Sequence, residues 1–396
     1  MRNVKSTLID VYKKKTEFDK SLGIVANGVD NLYPERADRF INNSVTAKTC
    51  AKIMATYLMG KGWLGRNKVI VNKEKMLTLQ HFTSKIAHSL VKQRGVFIHV
   101  NYNANFEPSS YDVLPYVHCR VGKRDDNKYN GKIAVSDKWD NSKLNETDIT
   151  FINVFNPDKK VVQSQINKVK GEDLTEKIRR YKGQVLYLNL DDDYVYALSQ
   201  IDAVMNDCDS EAQASVYKNK SLRKGFFGKT LVVTRPLAGS LEDYTDANQY
   251  HEAQSERSNF KDTIKDFIGA ENVGDTLHVE LEFDDNEKLD NAILFKDISS
   301  NIDDKLFEYT EKSVFNNILM AFNSIPPALV RPENSVFGQS GESIQQMQKV
   351  YQNNTSNERD ALIEIVQYLM GIFVNRLDNL DLELLIQEKT DAVTNQ

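Results

Sequence analysis

Three consecutive carboxylates, Asp191, Asp192 and Asp193, come closest in this sequence to a metal site. Clustered carboxylates at the end of a strand suit a hard cation such as Mg²⁺. The other interpretation is an acidic turn that begins the next helix. We favour the turn because no second carboxylate cluster or phosphate-binding loop accompanies the triplet. A metal-dependent nuclease or phosphotransfer enzyme using these residues is the alternative function.

Other catalytic patterns are missing from the sequence. The six histidines include no HExxH pair, and His81 and His88 stand about two helical turns apart, too far to share one metal ion unaided. No GxSxG, Walker A or GxGxxG motif occurs. The sequence therefore predicts no catalytic residue, no bound metal and no cofactor.

A basic cluster ends one predicted helix. Its members are Lys218, Lys220, Arg223 and Lys224, and Lys229 follows closely. Cations suit a helix C-terminus, but five within twelve residues exceed what a helix end needs, so the cluster is a candidate phosphate contact. The alternative is a solvated helix end. The net charge of −5 argues against tight bulk binding of DNA, although DNA that only slides past is compatible with it.

Composition bounds the class of protein. The 396 residues allow two or three compact units, and no apolar run is long enough to span a membrane. The N-terminal residues lack the pattern of a secretory signal. Cys50, Cys119 and Cys208 are widely spaced, which favours reduced, buried thiols. These features predict a soluble protein made in the cytoplasm.

The hydrophobic pattern predicts an α+β fold. A half-buried helix ends at Gly60 and Gly62, and a second helix ends at Gly95. From Val96 the pattern alternates, as in strands, with a turn at Asn130-Gly131 and a last strand over residues 182–190.

The second half of the sequence predicts a helix, a small α/β insert and a returning helix. The helices cover residues 198–224 and 299–324, the second with a capping box at Ser300 and Asp303, and the insert covers 225–298. A polar, proline-bordered loop spans 325–341. One long helix follows over 342–378, with a kink expected near 353–357, and 379–396 form a short helix or tail.

Two stretches beside the loop carry a resemblance to a known family. AFNSIPPALV covers residues 321–330, and GQSGESIQQMQ covers 338–348 and opens the long helix. Together with the order of elements, and with MGKGW at 59–63, they resemble the portal proteins of tailed double-stranded-DNA bacteriophages in their smaller, siphophage-like form.

The resemblance implies a portal-type fold. Residues 1–197 would form the N-terminal segment and α/β wing, 198–224 and 299–324 the paired stem helices, and 225–298 the clip. Residues 325–341 would be the tunnel loop, 342–378 the long kinked tunnel helix, and 379–396 a tail that leaves the crown small or absent.

The resemblance also implies a function. Portal proteins form a ring, usually of twelve subunits, at one capsid vertex of the virion after assembly in the host cytoplasm, and DNA is packaged and ejected through it. The implied partners are further copies of the chain, the major capsid protein, the terminase large subunit, the head-tail adaptor and double-stranded DNA, with no membrane.

The same resemblance places loop residues against the DNA. The loop residues expected there are Arg331, Asn334, Ser335, Gln339 and Ser340, of which Arg331 is the cation. A plain surface linker is the alternative for the loop. A scaffold or adaptor protein that forms no ring and binds partners through the charged insert helix is a further alternative for the chain.

Overall fold

The structure is a computed structural model, and it describes residues 18–19, 22–122, 131–140, 144, 146–191, 195–223, 229–234, 244–268, 277–280, 293–298, 304–331 and 341–386. The chain forms two compact units. The first contains Met1–Ala212 and Lys312–Gln396, and the second contains Gln213–Glu311. The fold is α+β, as the hydrophobic pattern predicts.

The first unit opens with a short β-ribbon and a helical layer. Its elements are β1 Phe18–Asp19, β2 Ile24–Val25, α1 Tyr33–Asn43, α2 Val45–Met59, β3 Gly62–Trp63, β4 Ile70–Asn72, β5 Leu77–Thr78 and α3 Leu79–Gln93. The sequence pattern missed α1, which carries Pro34 in its first turn, a position that suits proline. The N-terminus of α2 is capped twice. The Ser44 hydroxyl accepts from Ala47 N–H at 2.9 Å, and the Glu211 carboxylate accepts from Thr46 N–H at 3.3 Å.

A six-stranded sheet packs on this helical layer. Its strands are β6 Gly95–Tyr102, β7 Pro108–Leu114, β8 Cys119–Val121, β9 Lys132–Val135, β10 Thr150–Val154 and β11 Gln184–Asn189. The spatial order is β7-β6-β11-β10-β9-β8, and β10 and β11 are its parallel pair. Their crossover contains α4 Lys159–Asn167 and α5 Leu174–Arg180. On β6, Ile98 belongs to the main core and Phe97 to a second cluster, so this strand is buried on both faces.

The end of α3 differs from the prediction. Gly95 was expected to end this helix, but Arg94 adopts the left-handed conformation with φ 50° and Gly95 begins β6. Position 95 requires glycine because its neighbours leave little room for a side chain. A Cβ on Gly95 would lie 3.0 Å from the Tyr116 ring and 3.2 Å from the Leu188 carbonyl oxygen.

The chain enters and leaves the second unit through two helices. They are α6 Met205–Arg223 and α8 Asp304–Ala321, and the elements between them are β12 Lys229–Thr234, α7 Ala247–Ile268, β13 Leu277–Glu280 and β14 Ile293–Ile298. The three strands form one sheet in the order β13-β12-β14. The helices touch within each unit. In the first, Asn317 donates to Asp207 at 3.2 Å, and in the second, Lys218 forms an ion pair with Glu311.

The start of the first helix and the end of the second differ from the prediction. The expected helix over 198–224 begins at Met205, because Ser199 is engaged elsewhere: its hydroxyl donates to Lys92 O at 2.6 Å and its N–H to Tyr33 Oη at 3.0 Å. The expected helix over 299–324 runs from Asp304 to Ala321. The capping box at 300 and 303 lies outside the described residues.

The C-terminal part contains α9 Pro327–Val330, α10 Gly341–Asn354, α11 Ser356–Ile372 and β15 Leu382–Glu383. The break between α10 and α11 falls inside the segment where a kink was predicted, and α11 ends earlier than predicted. The expected C-terminal helix or tail contains β15, which pairs with β3. A Cβ on Gly60 would lie 2.2 Å from Glu383 O, so this glycine lets the last strand approach. Among the described residues, no helix is both long and apolar enough to cross a membrane.

Candidate nucleic-acid interface

The loop residues predicted to face DNA are only partly described. Arg331 is exposed at the end of α9, and its guanidinium carbon lies 4.5 Å from the centre of the Phe315 ring. Residues 334, 335, 339 and 340 lie outside the described residues. The segment 325–341 was predicted to be irregular, but its first part forms α9, Pro327–Val330, and Gly341 already begins α10. Residues 332–340 lie outside the described part of the chain.

The other predicted candidates are described only in part. The Lys218 ammonium is paired with Glu311. The backbones of Lys220 and Arg223 belong to α6, but their side chains and residue 224 lie outside the described part of the chain. Asp191 is described and its two acidic neighbours, 192 and 193, are not. Within the described residues, no group of three or more His, Cys, Asp or Glu side chains is arranged to hold a metal ion.

The turn that leads into the loop has an unusual backbone. Asn323 and Ser324 both have φ 56°, the left-handed region, directly after α8. Asparagine tolerates this conformation better than most residues, and serine has no such advantage. The turn is closed by Ile325 N–H, which donates to Leu319 O at 3.1 Å, and the Ile325 side chain is buried. Pro326 and Pro327 then fix the direction of the chain into α9.

The Asn323 side chain ties this turn to the kink between α10 and α11. Its Nδ2 donates to Asn354 O at 3.0 Å and to Glu358 Oε1 at 3.1 Å. In return, Asn354 Nδ2 donates to Asn323 O at 3.2 Å. The turn before the loop and the kink after it are thus joined by three hydrogen bonds.

Two residues from distant parts of the chain complete the arrangement. Gln200 Nε2 donates to Asn323 Oδ1 at 2.9 Å and to Ala321 O at 2.7 Å, while Arg94 Nη1 donates to Gln200 Oε1 at 3.2 Å. Arg94 also lies 3.7 Å from Glu358 Oε1. We call Arg94, Gln200, Asn323, Asn354 and Glu358 the turn cluster. The Oε2 atom of Glu358 is buried without a hydrogen-bond partner among the described residues.

The kink itself has a local cause. The Thr355 hydroxyl donates to Tyr351 O at 3.1 Å, and Arg359 Nη1 donates to Gln352 O at 2.8 Å. Side chains that compete for helical carbonyls bend a helix. Backbone bonds still cross the kink, because Thr355 N–H donates to Tyr351 O at 3.2 Å. Burial lowers the pKa of Arg359, although the nearby carboxylates of Asp360 and Glu358 oppose this effect.

This arrangement can fix the positions of the two chain segments that flank the loop. A kinked helix and a closed turn meet at one cluster of amides and charges. Sequence reasoning predicted the kink, which the structure contains, but missed Arg94, Gln200 and Glu358. The available signal was the pair Asn323-Ser324 before two prolines, which marks a turn that side chains must stabilise.

Comparison with known proteins gives structural similarities only. No family model matches the chain, and no curated protein matches it. A chain of the virion of a native gene transfer agent particle is similar at a TM-score of 0.42 and 11% identity, covering 85% of this chain and 78% of that one. A chain of the neck of the native particle, computed with C12 symmetry, is similar at a TM-score of 0.43 and 13% identity, covering 88% of this chain and 84% of that one. A chain of the neck of the empty particle, computed with C6 symmetry, is similar at a TM-score of 0.45 and 12% identity, covering 89% of this chain and 85% of that one.

Proposed function

We propose that the chain is the portal protein of a tailed bacteriophage or a related particle. In this proposal, copies of the chain form a ring of twelve at the capsid vertex, through which double-stranded DNA is packaged and ejected. The ring would contact the major capsid protein and provide the docking platform for the terminase large subunit and the head-tail adaptor. The chain would act without catalytic residues, metal or cofactor.

The observation that carries the proposal is the anchorage of the loop at both ends. On the entry side, the turn at Asn323 and the short helix α9 lead to Arg331. On the exit side, α10 leads from Gly341 back to the turn cluster over 14 residues, a rigid arm of about 21 Å. A loop held this way can be presented at a fixed place while its own residues yield to a passing duplex. A plain surface linker needs no such support.

Exposed apolar side chains on the helices fit repeated contacts between copies. Met320 on α8 is 68% exposed and Val350 on α10 is 55% exposed. Such residues on packed helices of the first unit are positions where a neighbouring copy would be expected to pack.

The test is the assembly state of the purified chain. We expect mass photometry and negative-stain imaging to show large closed rings, and a strictly monomeric species at high concentration would contradict the proposal. Met320→Glu should lower the ring fraction while circular dichroism stays unchanged. Val29→Glu is the matched control, because Val29 is 61% exposed and lies outside the helices.

A second test addresses the loop. Replacing residues 332–340 by a glycine-serine linker of equal length should leave ring formation intact, because the turn cluster is untouched. The amount of DNA retained in particles assembled with this variant should fall. Retention equal to that of the unchanged chain would show that the loop does not act on DNA.

A further inference from the structure

The crossover between β10 and β11 differs in charge from the rest of the chain. Residues 158–182, which we call the basic crossover, contain eight Lys and Arg and four Asp and Glu, whereas the whole chain carries a net charge of −5. The segment includes α4 and α5 and lies within the first unit. The basic crossover is distinct in sequence from the predicted basic cluster that begins at Lys218.

Three of the four acidic residues of the basic crossover have local structural roles. Asp158 caps α4, accepting from Lys160 N–H at 2.9 Å, and Asp173 caps α5, accepting from Glu176 N–H at 2.7 Å. Glu176 pairs with Arg180 at 2.5 Å and accepts from Glu172 N–H at 2.7 Å. These carboxylates hold the helices and are therefore not available to the remaining cations.

Five cations of the basic crossover remain exposed. Among the described residues, none of the five forms an ion pair with a carboxylate. They are Lys160, Lys168, Lys170, Arg179 and Lys182. Two other cations of the segment are paired, Lys159 with Glu107 at 2.9 Å and Arg180 with Glu176. The segment therefore presents a local surplus of positive charge to solvent.

The backbone that carries these cations is fixed. Val162 and Ile166 of α4 are buried in the main core. Tyr181 Oη donates to Gln165 Oε1 at 2.5 Å, and Gln184 Nε2 donates to the same oxygen at 2.9 Å, so the end of the crossover is tied to α4 and β11. A partner that binds here meets a preformed surface and orders only the lysine and arginine side chains.

We propose that the basic crossover binds the phosphate backbone of double-stranded DNA without sequence specificity. Lysine is depleted at the centre of protein–protein interfaces, where aromatic and other apolar anchors dominate. The crossover has the opposite composition: its exposed large apolar residue is Leu174, at 41%. Flexible cations without apolar anchors suit phosphate contacts, which position DNA and do not read bases. This site is separate in sequence from the loop, and it does not require that the chain form a ring.

The test measures salt-dependent binding of a fluorescently labelled DNA duplex to the full-length chain. The crossover variant replaces its five unpaired cations by glutamine. The control variant replaces five other exposed cations of the first unit by glutamine, for the same change in net charge. The control positions are Lys48, Lys52, Arg66, Lys68 and Lys73. Circular dichroism and mass photometry of each sample report folding and assembly separately from DNA binding.

We expect the crossover variant to bind DNA at least about tenfold more weakly at low salt, with a slope of log K against log salt that is less negative by up to about 4.5. The control variant should keep most of the affinity and slope. Equal losses in both variants would overturn the proposal, since only overall charge would then matter. Absence of DNA binding by the unchanged chain would also overturn it. So would crossover-dependent binding of polyglutamate with DNA binding unaffected, which would identify an acidic protein as the partner.

Discussion

Replacing Asn323 tests whether the turn cluster supports the loop as its contacts indicate. Asn323→Ala removes three side-chain hydrogen bonds: those to Asn354 O, to Glu358 Oε1 and from Gln200 Nε2. It also places alanine at φ 56°, a left-handed conformation that is unfavourable for a residue with a Cβ atom and no polar side chain. Asn323→Gly removes the same bonds and leaves the backbone unstrained. The two variants therefore separate the hydrogen bonds from the conformational cost.

The magnitude follows from the contacts. The bonds with Asn354 and Gln200 are neutral and contribute about 1 kcal/mol each, and the bond to the Glu358 carboxylate about 1.5 kcal/mol or more. Water reaches the exposed bond with Asn354 O and offsets part of its loss. We expect Asn323→Gly to lower the free energy of unfolding of the first unit by about 2–3 kcal/mol. Asn323→Ala should lower the free energy of unfolding by about 0.5–1 kcal/mol more than Asn323→Gly does. Alanine pays the cost of the left-handed conformation, and part of this difference is offset because glycine raises the entropy of the unfolded chain.

Urea unfolding followed by tryptophan fluorescence is the suitable assay. Trp63 and Trp139 both belong to the first unit and are buried, so their signal reports that unit. Ser324→Gly is the control for strain. Ser324 is exposed at the same φ, so glycine should stabilise the unit by about 0.5 kcal/mol. If alanine and glycine at 323 gave equal stability, or if neither changed the midpoint, the reasoning about the turn would be refuted.

Three further predictions rest on the first unit. Glu211→Ala removes the carboxylate that accepts from Thr46 N–H at the start of α2, and it should lower the free energy of unfolding by about 1–2 kcal/mol in urea titrations. Asp209→Ala, on α6 like Glu211, should change the free energy of unfolding little. Burial raises the pKa of Asp112, but hydrogen bonds from Lys75 and Lys85 outweigh burial, and the pKa in the folded chain lies below the usual aspartate value. The Asp112 carboxylate therefore stabilises the fold at pH values above the usual aspartate pKa. This stabilisation is lost as the pH falls through the pKa of Asp112 in the folded chain. Asp112→Asn should therefore flatten the decrease of the melting temperature below about pH 4, and an unchanged slope would exclude this role. Burial raises the pKa of each of the three cysteine thiols to about 12, so iodoacetamide should label them only after unfolding, and rapid labelling of the native chain would contradict their burial.

Much of the fold was predictable because its elements follow simple periodicity. The alternating residues of β6 and β11 indicated strands, and the helix over Val45–Met59 was found with its end at Gly60. These elements bury one regular face or both, which the sequence displays directly. The buried, reduced state of the three cysteines was also predicted correctly.

Other elements could not be predicted because distant contacts decide them. The start of α6 is delayed because Ser199 bonds to Lys92 and Tyr33, residues more than a hundred positions earlier. The left-handed residue after α3 is Arg94, since the neighbouring glycine is needed for its small size against Tyr116. In each case the local pattern was ambiguous, and packing chose among the possibilities.

The turn cluster shows why the candidate site was harder to predict than the elements around it. Glycine at 323 and 324 would have marked the left-handed turn in the sequence, and such a turn would need no partners. The chain has asparagine and serine there, so this conformation is maintained by the bonds of Asn323 to Gln200, Asn354 and Glu358. Because the same bonds reach the kink between α10 and α11, the direction in which the chain enters the loop depends on the geometry of the helix that leaves it. The cluster therefore joins the segments on both sides of the loop by direct side-chain hydrogen bonds, which a pair of glycines would not provide.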